Sequence, residues 1–210
     1  MEQISPILQV ILLSYLLGSL PFAYLLSLLF KKNVFYLGTR QAGATNVWRE
    51  VNRPLGVIVF FLDATKGFIS IYFSKKIGIN DHLIIIPALF TIIGHWNSAF
   101  TKLRGGDGLS TFIGIGLGIS ISLVLPMYIV GFIVAFIIRL RFKHPTIIAG
   151  SVGIFILSIT NIFFYESSSN IQYTTILFIL MFVFTHSYIY HRNIAPSGNY
   201  LWEIKNNTKS

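Results

Sequence analysis

The stretch "LSTFIGIGLGISISLVLPMYIVGFIVAFIIRL", Leu109–Leu140, runs for 32 residues with a single charge, Arg139, close to its end. At about 1.5 Å per residue a helix of that length would measure roughly 48 Å, whereas a hydrocarbon core about 30 Å thick is crossed by about 20 residues. One crossing is too short a path for it. Pro126, near the middle, lacks a backbone donor and crowds the preceding turn. The run therefore divides into a short helix over 109–121 and a second over 125–140. The short first helix is acceptable where its N-terminal end is buried in protein instead of lipid.

Working outward, five further apolar runs cover 4–30, 54–73, 82–100, 146–165 and 171–190. Of the 210 residues 54% are hydrophobic and 11% charged, with a mean hydropathy of +0.71. A soluble domain carries about a quarter of its residues charged. The expected fold class is an all-α integral membrane protein of seven transmembrane helices, forming one polytopic domain over 1–210. No internal repeat or linker marks a second domain. The first run has no basic leader and no small-residue cleavage site, and reads as a retained span. With no cysteine, disulfides and thiolate chemistry are excluded.

Charge placement supports seven spans over six. With the N-terminus outside and the C-terminus cytoplasmic, thirteen Lys and Arg residues fall on the inside and only Lys75 and Lys76 outside, leaving Lys66 within a helix. Reading 109–140 as one span would move Arg139, Arg141 and Lys143 outside and spoil the asymmetry that topology requires. The net charge of +9 is thus a signature of topology, and no nucleic-acid partner is expected. In this arrangement the glycine-bearing segments all face the cytoplasm.

Two of those segments have the composition of an anion site. "GTRQAGATN" presents Gly38 and Gly43, the hydroxyls of Thr39 and Thr45, the amides of Gln41 and Asn46, and then Arg49 one turn further on; "RGGDG" presents Arg104, Gly105 and Gly106 just before a helix starting near Leu109. Glycine lets backbone N–H groups converge on an anion, and a helix N-terminus adds partial positive charge. The alternative is a pair of tight turns using glycine for geometry alone. Neither segment has the spacing and lysine of a phosphate-binding Walker loop, and no Ser, His and Asp triad accompanies them. Asp63 and Lys66, three apart on the second span, share a face and read as a structural ion pair. His95 reads as an interfacial anchor. His186 and His191, five apart with no accompanying carboxylate, suggest no metal site.

The order of motifs resembles the bacterial acyl-phosphate-dependent glycerol-3-phosphate acyltransferases of the PlsY type. The likeness is carried by "GSLP" (Gly18 to Pro21), "GATNVWR" (Gly43 to Arg49), "DATKG" (Asp63 to Gly67), "GHWNSAFTKLRGGDG" (Gly94 to Gly108) and "RNI" (Arg192 to Ile194), which together span nearly the whole chain. The resemblance implies a multi-pass enzyme of the bacterial inner membrane that takes acyl phosphate and glycerol 3-phosphate as substrates and yields lysophosphatidic acid. It implies no cofactor and no metal, and a mechanism resting on positioned phosphates instead of a dedicated protein base. Thr39, Arg49, His191 and Asn193 are the implied catalytic residues. Gly38, Arg40, Gln41, Gly43, Asn46, His95, Arg104, Gly105, Gly106 and Asp107 are the implied substrate-binding residues.

The chain differs from the family pattern at several positions. Thr39, Arg40 and Gln41 replace a serine, a glycine and an asparagine, Asp107 replaces the lysine of GGKG, and Tyr190 stands where the family histidine is expected, with His191 one place along. A divergent relative that binds a phosphorylated lipid precursor without catalysis is the second reading. A transporter, with only the Asp63 and Lys66 pair as a midplane polar site, is the third.

Overall fold

A computed structural model describes residues 4–138 and 170–194. The described residues form helices α1 (Ile4–Ser19), α2 (Phe22–Leu29), α3 (Ala44–Glu50), α4 (Arg53–Lys76), α5 (Ile85–Trp96), α6 (Leu109–Ile119), α7 (Ile121–Ile138) and α8 (Asn170–Ile194), with a 3-10 turn at Val34–Tyr36. No strand occurs among them. Three stretches, Pro6–Leu29, Arg53–Lys76 and Ile171–Tyr190, are long and apolar enough to cross a membrane, while α5 and α6 are shorter apolar helices. Leu8, Leu12, Phe61 and Met181 are among many large apolar side chains turned outward, as a lipid-facing surface requires. The expected span over 146–165 and the C-terminal tail lie outside the described residues.

The first apolar run is broken, where a single uninterrupted span was expected. Pro21 cannot continue α1 because it has no N–H and its ring crowds the carbonyl one turn back, so α1 stops at Ser19 and α2 starts at Phe22. The freed carbonyls are taken by side chains: Ser98 Oγ donates to Ser19 O at 2.6 Å and Lys66 Nζ to Leu20 O at 3.0 Å. The long run also divides, but at Ser120 and not over 122–124, and Pro126 lies inside α7. There the Ile119 carbonyl accepts from Lys75 Nζ at 2.8 Å. A satisfied C-terminus at Ile119 makes the earlier break tolerable, and the one donor missing at Pro126 is a lesser defect in a membrane helix.

α4 begins on a recognisable cap. The Asn52 side chain accepts from Leu55 N–H at 3.0 Å, with Pro54 in the first turn, where its missing donor has no consequence. From there α4 packs along α6, and α1 packs along α5. Both pairs approach backbone to backbone. A Cβ on Gly67 would lie 2.2 Å from Thr111 O and one on Gly114 1.7 Å from Ala64 O; on Gly18 and Gly94 it would meet Thr91 O and Tyr15 O at 2.1 and 2.2 Å. Small residues at such crossings let helices associate in lipid, where no hydrophobic force drives them together. The main core gathers Val10, Ile71, Ile84, Ile92, Phe112 and Ile179. A smaller one, including Val34, Phe35, Val47 and Val59, underlies the loop end.

Candidate functional site

The two glycine-bearing loops meet. Ala42 N–H donates to Gly105 O at 2.9 Å, and the Arg104 guanidinium donates to Phe35 O at 3.0 Å while lying over the Phe35 ring, 4.4 Å from its centroid. Tyr190, near the end of α8, donates its hydroxyl to Thr39 O at 3.1 Å. Residues far apart in sequence thus converge at one end of the helices, and Arg104 and Arg40 both act electrostatically on Tyr190.

The first loop is organised by Asn46. Its amide nitrogen donates to Val34 O, Leu37 O and Gln41 O at 3.1, 3.1 and 2.8 Å, and its oxygen accepts from Thr39 N–H at 3.2 Å. The side chain is 2% exposed, so its hydrogen-bonding capacity goes to shaping the loop, with none left over for a ligand. Gly38 and Arg40 both have positive φ, 47° and 57°, and this turn holds the Arg40 side chain outward. Gln41 is buried with its Nε2 unpartnered among the described residues. Gly43 is the N-cap of α3. Arg49 is exposed in the last turn of that short helix and makes no hydrogen bond or ion pair among the described residues.

The second loop corrects part of the anion-cradle expectation. Gly106 N–H, expected to be open to a phosphate, donates to His95 O at 3.2 Å. A Cβ on Gly105 would lie 1.9 Å from His95 O, and one on Gly106 2.5 Å from both Ala42 O and His95 Nε2. Here the glycines are demanded by close approach of the loop to α5 and to the first loop. Asp107 folds back so that its Oδ1 accepts from Leu109 N–H at 3.2 Å, occupying the start of α6 with a carboxylate from the chain itself. Its carbonyl accepts from the Trp96 indole at 2.9 Å. The direction of Asp107 depends on where α6 begins, which motif spacing alone does not fix.

Beneath the loops lies a polar network within the helices. Lys66 Nζ and Asp63 Oδ1 are 2.7 Å apart, both side chains 3% exposed, and His95 Nδ1 is 3.9 Å from the same carboxylate oxygen. Thr111 Oγ1 shares a hydrogen with His95 Nδ1 at 3.1 Å. A narrow pocket bordered by Leu20, Phe22, Ala42, Lys66, His95 and Gly105 links this network to the loops. Sequence reading found the Asp63 and Lys66 pair but missed its bond to the Pro21 break. It noted Tyr190 only as standing at the family histidine's position and missed its bond to Thr39, for which the spacing from Val183 on one face of α8 was the available signal. His191 and Asn193 fall in the last turn of α8, and their side chains lie outside the described residues.

Known proteins agree with this architecture. The family model for glycerol-3-phosphate acyltransferase matches residues 8–196. The glycerol-3-phosphate acyltransferase of Wolbachia pipientis wMel is 31% identical over 187 residues, covering 89% of this chain and 91% of the relative. That of Staphylococcus aureus (strain JH9) is 37% identical over 137 residues, covering 61% and 68%. The fold is similar to the crystal structure of PlsY, an integral membrane glycerol 3-phosphate acyltransferase, in its glycerol 3-phosphate form, with a TM-score of 0.71 at 28% identity over 89% of this chain and 88% of that one. Against the lysophosphatidic acid form the TM-score is 0.68. With its family model matched over nearly its full length, this chain belongs to the glycerol-3-phosphate acyltransferase family.

Proposed function

We propose that this protein transfers a fatty acyl group from acyl phosphate to the first hydroxyl of glycerol 3-phosphate, giving lysophosphatidic acid for phospholipid synthesis. The observation that carries the reading is the convergence of the two loops on Tyr190, which brings Arg40 and Arg104 to one place in a chain of this family. In the reaction the acceptor oxygen bonds to the acyl carbon as the bond from that carbon to the phosphate oxygen breaks. Phosphate leaves with the electron pair, and the hydroxyl proton passes to a phosphate oxygen. The protein's part is to hold two phosphates in register, which is a matter of positioning and fixed charge. Arg104, Arg40 and Arg49 supply the cations, and Thr39 and the backbone near Gly43 shape the pocket. The protein is a single domain of seven spans in the bacterial inner membrane, N-terminus outside, with the loops and C-terminus in the cytoplasm.

Purified protein supplied with acyl phosphate and glycerol 3-phosphate should form lysophosphatidic acid; well-folded protein that forms none sinks the reading. One observation favours the second reading, a relative that binds a phosphorylated lipid precursor without catalysis: the Asp107 carboxylate stands at the start of α6, where it repels a phosphate. Asp107→Lys separates the two. In an enzyme it lowers KM for a phosphate substrate, whereas in a non-catalytic relative no product appears with either residue.

A further inference from the structure

The inward face of α8 is an aliphatic stripe that turns polar at the loop end. Ile176, Ile179, Leu180 and Val183 are all buried, and the same helical spacing continues with His186 and Tyr190. Tyr190 reaches Thr39 in the first loop. His186 lies flat against Trp96, with ring centroids 3.8 Å apart and planes at 12°, and the N–H of that indole donates to Asp107 O. The imidazole therefore stacks on the ring that bonds the second loop and lies one helical turn before the residue that touches the first.

Its Nδ1 is buried and has no hydrogen-bond partner among the described residues. Buried polar atoms are nearly always paired, and a residue needed only to cover Trp96 could be a phenylalanine. Charge is also graded along this stripe. Arg40 and Arg104 act on Tyr190, while Asp107 acts on His186. A small acceptor with a phosphate at one end and a hydroxyl at the other matches that gradient, its phosphate near the arginines and its hydroxyl near the imidazole. One helical turn, about 5.4 Å, separates the two positions, which suits a three-carbon backbone.

We propose that His186 binds glycerol 3-phosphate through Nδ1, orienting the acceptor hydroxyl. The inference rests on the acceptor named above. Direct binding of glycerol 3-phosphate to the detergent-purified full chain tests it, and product formation separately tests the catalytic reading. His186→Phe keeps the stack on Trp96 without a polar nitrogen, His186→Gln carries its amide out to the position of Nε2, and His186→Asn keeps a polar atom near Nδ1. The Phe and Gln variants should bind about tenfold more weakly, the equivalent of about 1.4 kcal/mol, with KM for acyl phosphate unchanged. The Asn variant should stay within about threefold of the parent, since a hydrogen-bond role is restored only where the polar atom returns. Comparable melting temperatures confirm folding, and the Asn and Gln pair decides the matter if the Phe variant does not fold. Unchanged binding in the Gln variant, equal loss in Asn and Gln, or a parent protein that binds no glycerol 3-phosphate overturns the proposal.

Discussion

Lys66 Nζ lies 3.0 Å from the carbonyl oxygen of Leu20, so a charge on one helix closes the end of another. The same ammonium is 2.7 Å from Asp63 Oδ1, with both side chains 3% exposed. Lys66→Met should therefore leave both a buried carboxylate and a carbonyl unpaired. The expected loss is about 3–5 kcal/mol of stability, the range for removing one partner of a buried pair. Thermal melting in detergent reads it, and Asp63→Asn combined with Lys66→Met should recover part of the loss. A single variant that melts with the parent would show that the pair is dispensable.

Asn46→Asp preserves shape but turns a carboxylate oxygen towards Val34 O, Leu37 O and Gln41 O, which now share the amide protons. The loop that carries Thr39 and Arg40 should open, with a cost of at least about 1–3 kcal/mol for the unsatisfied groups. Turnover at saturating substrate should fall by more than tenfold while the transmembrane helices remain intact by circular dichroism.

Arg104→Lys retains the charge but cannot both donate to Phe35 O and lie over the Phe35 ring as the planar guanidinium does. Roughly tenfold weaker apparent affinity for a phosphate substrate is expected, about 1.4 kcal/mol. Steady-state kinetics with each substrate varied in turn reads it. Equal KM values in the two proteins would place Arg104 outside the binding surface.

Gly114→Ala drives a methyl group to within 1.7 Å of Ala64 O. α4 and α6 must separate, at a cost of about 1–3 kcal/mol or more for overpacking. Because the Gly105–Gly108 segment leads directly into α6, activity should fall along with melting temperature. Ala at Gly78, where a Cβ would meet nothing within 4 Å but φ is +96°, should lower stability slightly and leave activity alone.

How far the sequence reached depended on whether a feature was periodic or singular. Long apolar runs mark α4 and α8 to within a few residues because lipid imposes a minimum length on each. Pro126 looked like the break in the long run and is not. Pro21 looked ordinary and is one, because a break occurs where neighbouring donors such as Ser98 and Lys66 can satisfy the exposed carbonyls, and those donors are distant in sequence. At the candidate site, Arg104 and the glycines were visible as types, but their partners were not. Gly105 and Gly106 proved to be fitted against His95 and Ala42. Asn46 was visible as a polar residue and not as the one that orders its loop. His186 carried no motif at all, and only its position on the inward stripe of α8 distinguishes it.

α6 has eleven residues, about 16 Å of helix against a hydrocarbon thickness of about 30 Å. Its first turn receives the Asp107 carboxylate and its last carbonyl the Lys75 ammonium, so the peptide dipole is neutralised at both poles by internal counter-ions. The depth of the segment should therefore follow its packing on α4. Thicker or thinner bilayers should tilt the long helices and leave this short one at the same level beneath the loops, making turnover nearly indifferent to lipid chain length.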